Sequence, residues 1–283
     1  MEQAILRFFE SIRCPALDWF FAFFSFLGQT PVLAGMIAVT YWAISKKKGE
    51  FLLVNVLSAA ALNGGVKDAV RRPRPYVKGV VTVGGADNPL LGDVSNSYSF
   101  PSGHSQNGGA GWISLGVCPR KKRWLLLTAT VTFLIMLSRV YFGVHYPSDV
   151  LCGALLATIG VILWHLVFTK LEKYRYLVFL AVSALLCLAM IYAKSEDTAK
   201  SCGMAIGAAI GLALENRFLR AEMPKIVWKR ICRLLIGFAV LACVYVICKF
   251  TFPEGVWYDF GRYALVLLSA TFFAPVFFRA LGI

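Results

Sequence analysis

The chain has 283 residues, of which 58% are hydrophobic and only 16% are charged. Soluble domains typically contain roughly 45–50% apolar and about 25% charged residues. This composition therefore excludes intrinsic disorder, coiled coils and collagen-like chains, and it argues against a water-soluble globule. The net charge of +14 is compatible with a nucleic-acid partner or with the basic flanks of membrane spans. The apolar excess favours an all-α polytopic membrane protein.

The first residues predict two short helices at the membrane surface. Residues 1–14 mix charged and apolar side chains as an amphipathic helix does, and they lack the pattern of a cleavable leader. The aromatic stretch between Cys14 and Gln29 is shorter than the ~20 residues of a full span, so we expect it to be interfacial or re-entrant. Nine candidate spans follow, at residues 30–46, 51–70, 104–118, 124–142, 147–169, 175–193, 202–215, 231–249 and 259–279.

Basic residues alternate with these spans. Seventeen of the 29 Lys and Arg residues fall on one predicted face and 12 on the other. The richer set lies at residues 46–48, 120–123, 170–175, 217–233 and 279. The positive-inside rule assigns that face to the cytoplasm, which leaves the long loop 71–103 outside. Because topology accounts for the charge, we expect no nucleic-acid partner.

Polar and ionisable residues gather at the predicted outer face in the segments 67–75, 101–104 and 138–149. Ionisable groups close to membrane spans are costly and are functional candidates by default. The candidates are Lys67 and Arg74 in the first segment, Ser102, Gly103 and His104 in the second, and Arg139, His145 and Asp149 in the third.

The cations among these residues predict an anionic ligand. Lys67, Arg74 and Arg139 have no equal set of carboxylates beside them in the sequence, and the guanidinium fork suits phosphate oxygens. Ser102 and Gly103 directly precede a predicted helix, where free backbone N–H groups form a second anion cradle. The two sets together indicate a phosphate site.

The two histidines of this face supply a nucleophile and an acid. One imidazole can attack phosphorus while the other protonates the leaving oxygen. Asp149 follows His145 by four residues, so we expect its carboxylate to accept the His145 N–H and fix the ring tautomer. Positioned cations can stabilise the transferring phosphoryl group without a metal. We therefore expect no metal and no cofactor.

The three segments resemble the signature of the type 2 phosphatidic acid phosphatase (PAP2) superfamily, in order and in spacing. The matching patterns are Lys67-x6-Arg74-Pro75, Pro101-Ser102-Gly103-His104 and Ser138-Arg139-x5-His145-x3-Asp149. The resemblance implies a helical membrane fold with an extracytoplasmic site. It implies His145 as the nucleophile of a phosphohistidine mechanism, Asp149 as its orienting partner and His104 as the general acid. The implied phosphate ligands are Lys67, Arg74, Ser102, Gly103 and Arg139.

We predict two parts of the chain. Residues 1–170 form a PAP2-like core with N-terminal interfacial helices, and residues 171–283 form a four-span membrane extension. Within the extension, Gly203, Gly207 and Gly211 predict a close-packed helix face. Residues 80–100, rich in polar and small side chains, are a candidate lid for substrate choice.

The leading functional hypothesis is metal-independent hydrolysis of a lipid phosphate or diphosphate, with the lipid substrate and membrane lipids as partners. Candidate substrates are polyprenyl diphosphate, phosphatidate, phosphatidylglycerophosphate and sphingoid phosphates. A lipid phosphotransferase would use the same residues. A lipid-phosphate binding or transport protein without chemistry is the alternative from another class. Arg71, Arg72 and Lys78 are interpreted as head-group or loop contacts.

Overall fold

The computed structural model describes residues 1–85, 87–91, 97–188, 190 and 195–283. Within these ranges the regular structure is helical and contains no strand. The helices are α1 (Glu2–Ser11), α2 (Pro15–Leu27), α3 (Thr30–Val39), α4 (Lys46–Val70), α5 (Gly109–Val117), α6 (Lys122–Tyr141), α7 (Pro147–Lys170), α8 (Arg175–Cys187), α9 (Glu196–Leu214), α10 (Val227–Thr251), α11 (Val256–Leu268) and α12 (Ala274–Ala280). Single π-helical turns extend several of them, including His104–Gly108 before α5.

Six helices of the described chain are long and apolar enough to cross a membrane. They are Lys46–Val70, Lys122–Tyr141, Pro147–Lys170, Glu196–Leu219, Val227–Thr251 and Val256–Ala280. Helix α2 and the stretch Thr30–Ile44 meet at a 50° bend and would add a seventh span if they cross as one. The predicted all-helical polytopic architecture is therefore confirmed.

Two of the predicted spans need comment. The segment 104–118 is helical for only five residues of π-helix and nine of α-helix. At ~1.5 Å per residue this is shorter than the ~30 Å of hydrocarbon, so the helix length alone does not establish a full span, and the crossing at 104–118 stays a prediction. The segment 175–193 is helical over Arg175–Cys187, and residues 189 and 191–194 lie outside the described residues. The candidate lid is likewise described only in part, without residues 86 and 92–96, and its role stays a prediction.

The chain folds as two compact units. Unit 1 comprises Met1–Ala34 and Val66–Ile162, and unit 2 comprises Gly35–Gly65 and Leu163–Ile283. The functional division at residue 170 stays a prediction. Every predicted site residue lies in unit 1.

In unit 1, α6 packs against α1, α2 and α5. Polar contacts join α1 and the link that follows it to the corner where α6 ends and α7 begins. Arg13 Nη2 donates to the backbone oxygen of Tyr141 (3.1 Å), and Glu2 Oε1 accepts from the backbone N–H of Ser148 (2.9 Å). A carboxylate at a helix N-terminus is stabilised by the free N–H groups and the helix dipole. The amphipathic N-terminal helix therefore supports the corner that carries His145.

In unit 2, α9 packs closely along α11. A Cβ atom added at Gly203 or Gly207 would overlap the backbone of α11, and one added at Gly211 would overlap the hydroxyl of Thr271. Only glycine allows this approach, which confirms the predicted close-packed face. The buried Glu50 also pairs with Arg175 (3.2 Å) in this unit.

Candidate active site

The structure brings the three signature segments together. Lys67 lies in the last turn of α4, Arg139 in the last turn of α6 and Asp149 in the first turn of α7. Ser102 and Gly103 directly precede the π-helical turn that begins at His104. The ring of His104 is close enough to four of the other residues to interact with them electrostatically, namely Arg139, His145, Lys67 and Arg74. Single π-helical turns are frequent at functional sites.

His145 lies in the turn between α6 and α7 and is buried. Its Nε2 is 3.4 Å from Arg74 Nη1, and its Nδ1 is 3.4 Å from Ser99 Oγ. A guanidinium can only donate, so Nε2 accepts and the ring proton resides on Nδ1. Burial lowers the pKa of His145 well below its usual range, and the cations Arg74, Arg139 and Lys67 lower that pKa further. The ring is therefore neutral, with a lone pair on Nε2.

Asp149 does not accept directly from His145, which corrects the sequence prediction. Its Oδ2 is 3.7 Å from Nδ1, beyond hydrogen-bonding distance. That oxygen instead accepts from Ser99 Oγ (2.5 Å) and from the backbone N–H of Tyr146 (2.9 Å). Its Oδ1 accepts from Arg72 Nη1 (2.6 Å). The serine hydroxyl and the turn N–H fill the Oδ2 lone pairs, so the carboxylate and the imidazole meet through Ser99.

Two of the predicted phosphate ligands, Arg74 and Lys67, both contact Ser97. Arg74 Nε donates to the backbone oxygen of Ser97 (2.8 Å), and Nη1 donates to that of Val144 (3.3 Å). Lys67 Nζ donates to Ser97 Oγ (3.1 Å). Backbone carbonyls and a hydroxyl thus fix both cations beside the histidines.

Arg139 and His104 carry buried nitrogen atoms that lack partners. Arg139 Nη1 donates to Ser25 Oγ on α2 (2.5 Å), while its Nε has no hydrogen-bond partner within the described chain. The same holds for Nε2 of His104. A buried polar group without a partner costs about 1–3 kcal/mol. An oxyanion bound between these residues would relieve both costs.

Comparison with known proteins assigns the family. The profile described as "PAP2 superfamily" matches residues 50–173, a range that contains all eight site residues. The profile described as "PAP2 superfamily phosphatase, transmembrane extension" matches residues 199–283. The chain belongs to the PAP2 superfamily. With six membrane-length helices and the matched extension, it is an integral membrane protein.

Several curated relatives of this PAP2 protein are named as lipid phosphatases. Lipid A 4'-phosphatase of Bacteroides thetaiotaomicron is 25% identical over 60% of this chain and 78% of that protein. Phosphatidylglycerophosphatase B of Bacillus subtilis is 26% identical over 62% of this chain and 86% of that protein. Undecaprenyl-diphosphatase of Sulfolobus acidocaldarius is 32% identical over 40% of this chain and 52% of that protein.

Four residues of the PAP2 site were not predicted from the sequence, namely Ser25, Ser97, Ser99 and Arg72. Ser97 and Ser99 lie four and two residues before Pro101, the first residue of the PSGH segment, and this proximity is the one signal that could have identified them. Ser25 is a lone hydroxyl in an aromatic helix and carries no motif. Arg72 was interpreted as a head-group or loop contact, but it pairs with Asp149 and with Glu2 (2.8 Å).

Gly153 lets α7 approach the PSGH segment of the PAP2 site. A Cβ atom at this position would lie 2.8 Å from the backbone oxygen of Ser102 and 3.2 Å from Ser105 Cβ. Ser102 in turn donates its backbone N–H to the carbonyl of Asp149 (3.1 Å). This close contact sets the position of the segment that carries Ser102, Gly103 and His104.

We expect Gly153→Ala to displace the PSGH segment from α7. Such overpacking costs about 1–3 kcal/mol of unfolding free energy, and a displacement near 1 Å can cost about 10²-fold in kcat/KM. Thermal unfolding in detergent and phosphate release measure the two effects. Gly160→Ala is the control on the same helix, because its Cβ would meet nothing within 4 Å. Equal activity of both variants would show that the contact does not position the site.

Proposed function

We propose that this protein hydrolyses a lipid phosphate or diphosphate through a phosphohistidine on His145, without a metal, at the extracytoplasmic membrane face. Membership of the PAP2 superfamily supports the reaction class. The named activities of the relatives support a lipid substrate, since they include a saccharolipid phosphatase, a phospholipid phosphatase and a polyprenyl diphosphatase.

The reaction would proceed in two balanced steps. In the first, Nε2 of His145 attacks phosphorus, the bond to the lipid oxygen breaks, and His104, which is protonated when the anionic substrate is bound, gives that oxygen a proton. In the second, water attacks the phosphorus of the phosphohistidine while His104 takes a proton from that water. The bond between phosphorus and Nε2 then breaks, and phosphate leaves. Throughout, positive and N–H groups would hold the non-bridging oxygens. Those groups are the side chains of Lys67, Arg74 and Arg139, the backbone N–H of Gly103 and the hydroxyl of Ser102, because the Ser102 backbone N–H already donates to the carbonyl of Asp149.

One observation carries the proposal. The lone pair of His145 Nε2 lies beside the guanidinium of Arg74, a nucleophile next to an oxyanion ligand. A neutral imidazole can attack at neutral pH, whereas an imidazolium cannot. The unpartnered nitrogens of His104 and Arg139 support a phosphoryl group as the missing neighbour. Because fixed cations already stabilise the developing charge, the chemistry needs no Lewis acid.

Phosphate release by the purified protein in detergent tests the proposal. We expect turnover of at least one of phosphatidate, phosphatidylglycerophosphate, a sphingoid phosphate and polyprenyl diphosphate, unchanged by excess EDTA and inhibited by vanadate, which mimics the trigonal-bipyramidal transition state. Activity lost to EDTA and restored by magnesium would refute metal independence. Tight binding of all four lipids without phosphate release would instead favour a binding protein.

The membrane side can be tested by cysteine labelling in intact cells. We expect Val77→Cys, an exposed position in the outer loop, to react with an impermeant maleimide. Lys121→Cys, an exposed position between α5 and α6, should react only after permeabilisation. The exposed native cysteines Cys14 and Cys243 are replaced by serine in both variants. The opposite labelling pattern would place the site in the cytoplasm.

A further inference from the structure

Ser99 occupies a buried position between the imidazole and the carboxylate of the site. Its Oγ is 2.5 Å from Asp149 Oδ2 and 3.4 Å from His145 Nδ1. Its backbone N–H donates to the carbonyl oxygen of Arg72 (2.7 Å). The residue is therefore fixed by its main chain while its hydroxyl contacts both ionisable groups.

The donors and acceptors determine which way these contacts run. An ionised carboxylate only accepts, so the single Ser99 hydroxyl proton is donated to Asp149. The Ser99 oxygen is left as an acceptor and faces Nδ1, which carries the ring proton because Arg74 occupies the Nε2 side. The contact between Ser99 Oγ and Nδ1 thus favours the tautomer that leaves Nε2 unprotonated.

Arg72 holds Asp149 through the carboxylate oxygen that does not contact Ser99. Arg72 Nη1 donates to Asp149 Oδ1 (2.6 Å), and the guanidinium lies over the ring of Tyr146 at 4.0 Å. The contact with Arg72 holds the carboxylate of Asp149 where its other oxygen accepts the Ser99 hydroxyl proton. Buried hydrogen-bonded chains of this kind strengthen their members mutually.

We propose that Ser99 is a positioning residue that couples Asp149 to His145, so that a His145–Ser99–Asp149 chain replaces the direct pair predicted from the sequence. The proposal rests on the proposed function, because it assigns His145 as nucleophile. When Nε2 bonds to phosphorus, positive charge develops on the ring and Nδ1–H becomes a stronger donor. Ser99 then passes the stabilisation by Asp149 to the ring without transferring a proton.

The test is a double-mutant cycle on the purified protein, with kcat and KM measured for an aryl and an alkyl phosphate. We expect Ser99→Ala to lower kcat by about 10- to 100-fold, as the loss of a hydrogen-bond partner that orients a metal-bound histidine does, with little change in KM. The factor should be the same for both substrates, because it concerns the nucleophile and not the leaving group. Ser99→Thr, which keeps the hydroxyl, should restore most of the activity.

The decisive result is the coupling between the two positions. The double variant Ser99→Ala/Asp149→Asn should be no slower than Asp149→Asn alone, within about two-fold. Multiplicative losses would overturn the proposal, and so would wild-type kcat in Ser99→Ala. Ser114→Ala is the matched control, since Ser114 is equally buried and its hydroxyl has no hydrogen-bond partner in the described ranges.

Misfolding and failure of the proposed function are recognised separately. If Ser99→Ala does not fold, Ser99→Cys keeps the shape with a much weaker donor and should show the same loss. An inactive wild type, or an active His145→Ala, would refute the proposed function. A wild-type level of activity in Ser99→Cys and Ser99→Ala, with His145→Ala inactive, would refute only the role of Ser99.

Discussion

Replacing His145 by alanine should abolish phosphate release from every substrate, because the variant lacks the atom that attacks phosphorus. Loss of a catalytic nucleophile costs on the order of 10⁵–10⁶ in kcat, which exceeds every other single effect expected here. The loss should not depend on the leaving group. Phosphate release in detergent measures the loss of activity. Thermal stabilisation by vanadate reports whether Lys67, Arg74 and Arg139 still bind an anion.

His104→Ala should behave differently, because it keeps the nucleophile: it removes protonation of the leaving oxygen in the first step and the base for water in the second. That contribution is roughly 10²–10⁴ for an alkyl lipid phosphate. In kcat/KM the loss should shrink for p-nitrophenyl phosphate, whose leaving oxygen is stable without a proton. If both variants were equally inactive on the aryl ester, or if the aryl ester rescued His145→Ala instead, the two roles would be wrongly assigned.

Arg139→Met should separate activity from stability. Arg139 is buried, makes no ion pair in the described chain and has an unpartnered Nε, so its removal costs the fold little more than the hydrogen bond to Ser25. A positioned arginine that stabilises a transferring phosphoryl group contributes about 10³–10⁵ in rate. We expect kcat/KM to fall by that factor, vanadate to lose its stabilising effect, and the melting temperature to stay level or rise.

Arg233→Met is the matched control for this experiment. Arg233 in unit 2 is also buried with an unpartnered Nε, but its Nη2 donates to the backbone oxygens of Glu222 (2.8 Å) and Ile283 (2.9 Å). Its loss should lower the melting temperature while vanadate still stabilises the variant. If Arg139→Met proved strongly destabilised and still bound vanadate, Arg139 would be a structural residue and not a phosphate ligand.

The sequence was sufficient to predict the all-helical membrane fold and to name eight candidate site residues, whose roles stay predictions. Span length and basic flanks are local properties, and the spacing of Lys67, Arg74 and His104 identifies the signature without coordinates. The unpredicted contacts depend on differences of about an ångström or less in the distances between side chains that are far apart in the sequence. The gap of 3.7 Å between His145 and Asp149, and the hydroxyl of Ser99 that bridges it, follow from how the PSGH segment packs against α7.

Other errors also have physical causes. Arg72 was separated from the site because an arginine in a basic loop has the same local pattern whether it contacts lipid or a buried carboxylate. Ser25 could not be found, since its partner Arg139 is distant in sequence.

The most direct test of the central claim is to trap the covalent intermediate. In His104→Ala, p-nitrophenyl phosphate should still phosphorylate the protein, while hydrolysis is slow because no base takes the proton of the attacking water. We predict a burst of about one equivalent of p-nitrophenol per protein molecule, and an alkali-stable, acid-labile phosphoryl group on the peptide that contains His145. Steady release without a burst, with no phosphoryl group on His145, would contradict a phosphohistidine at this residue.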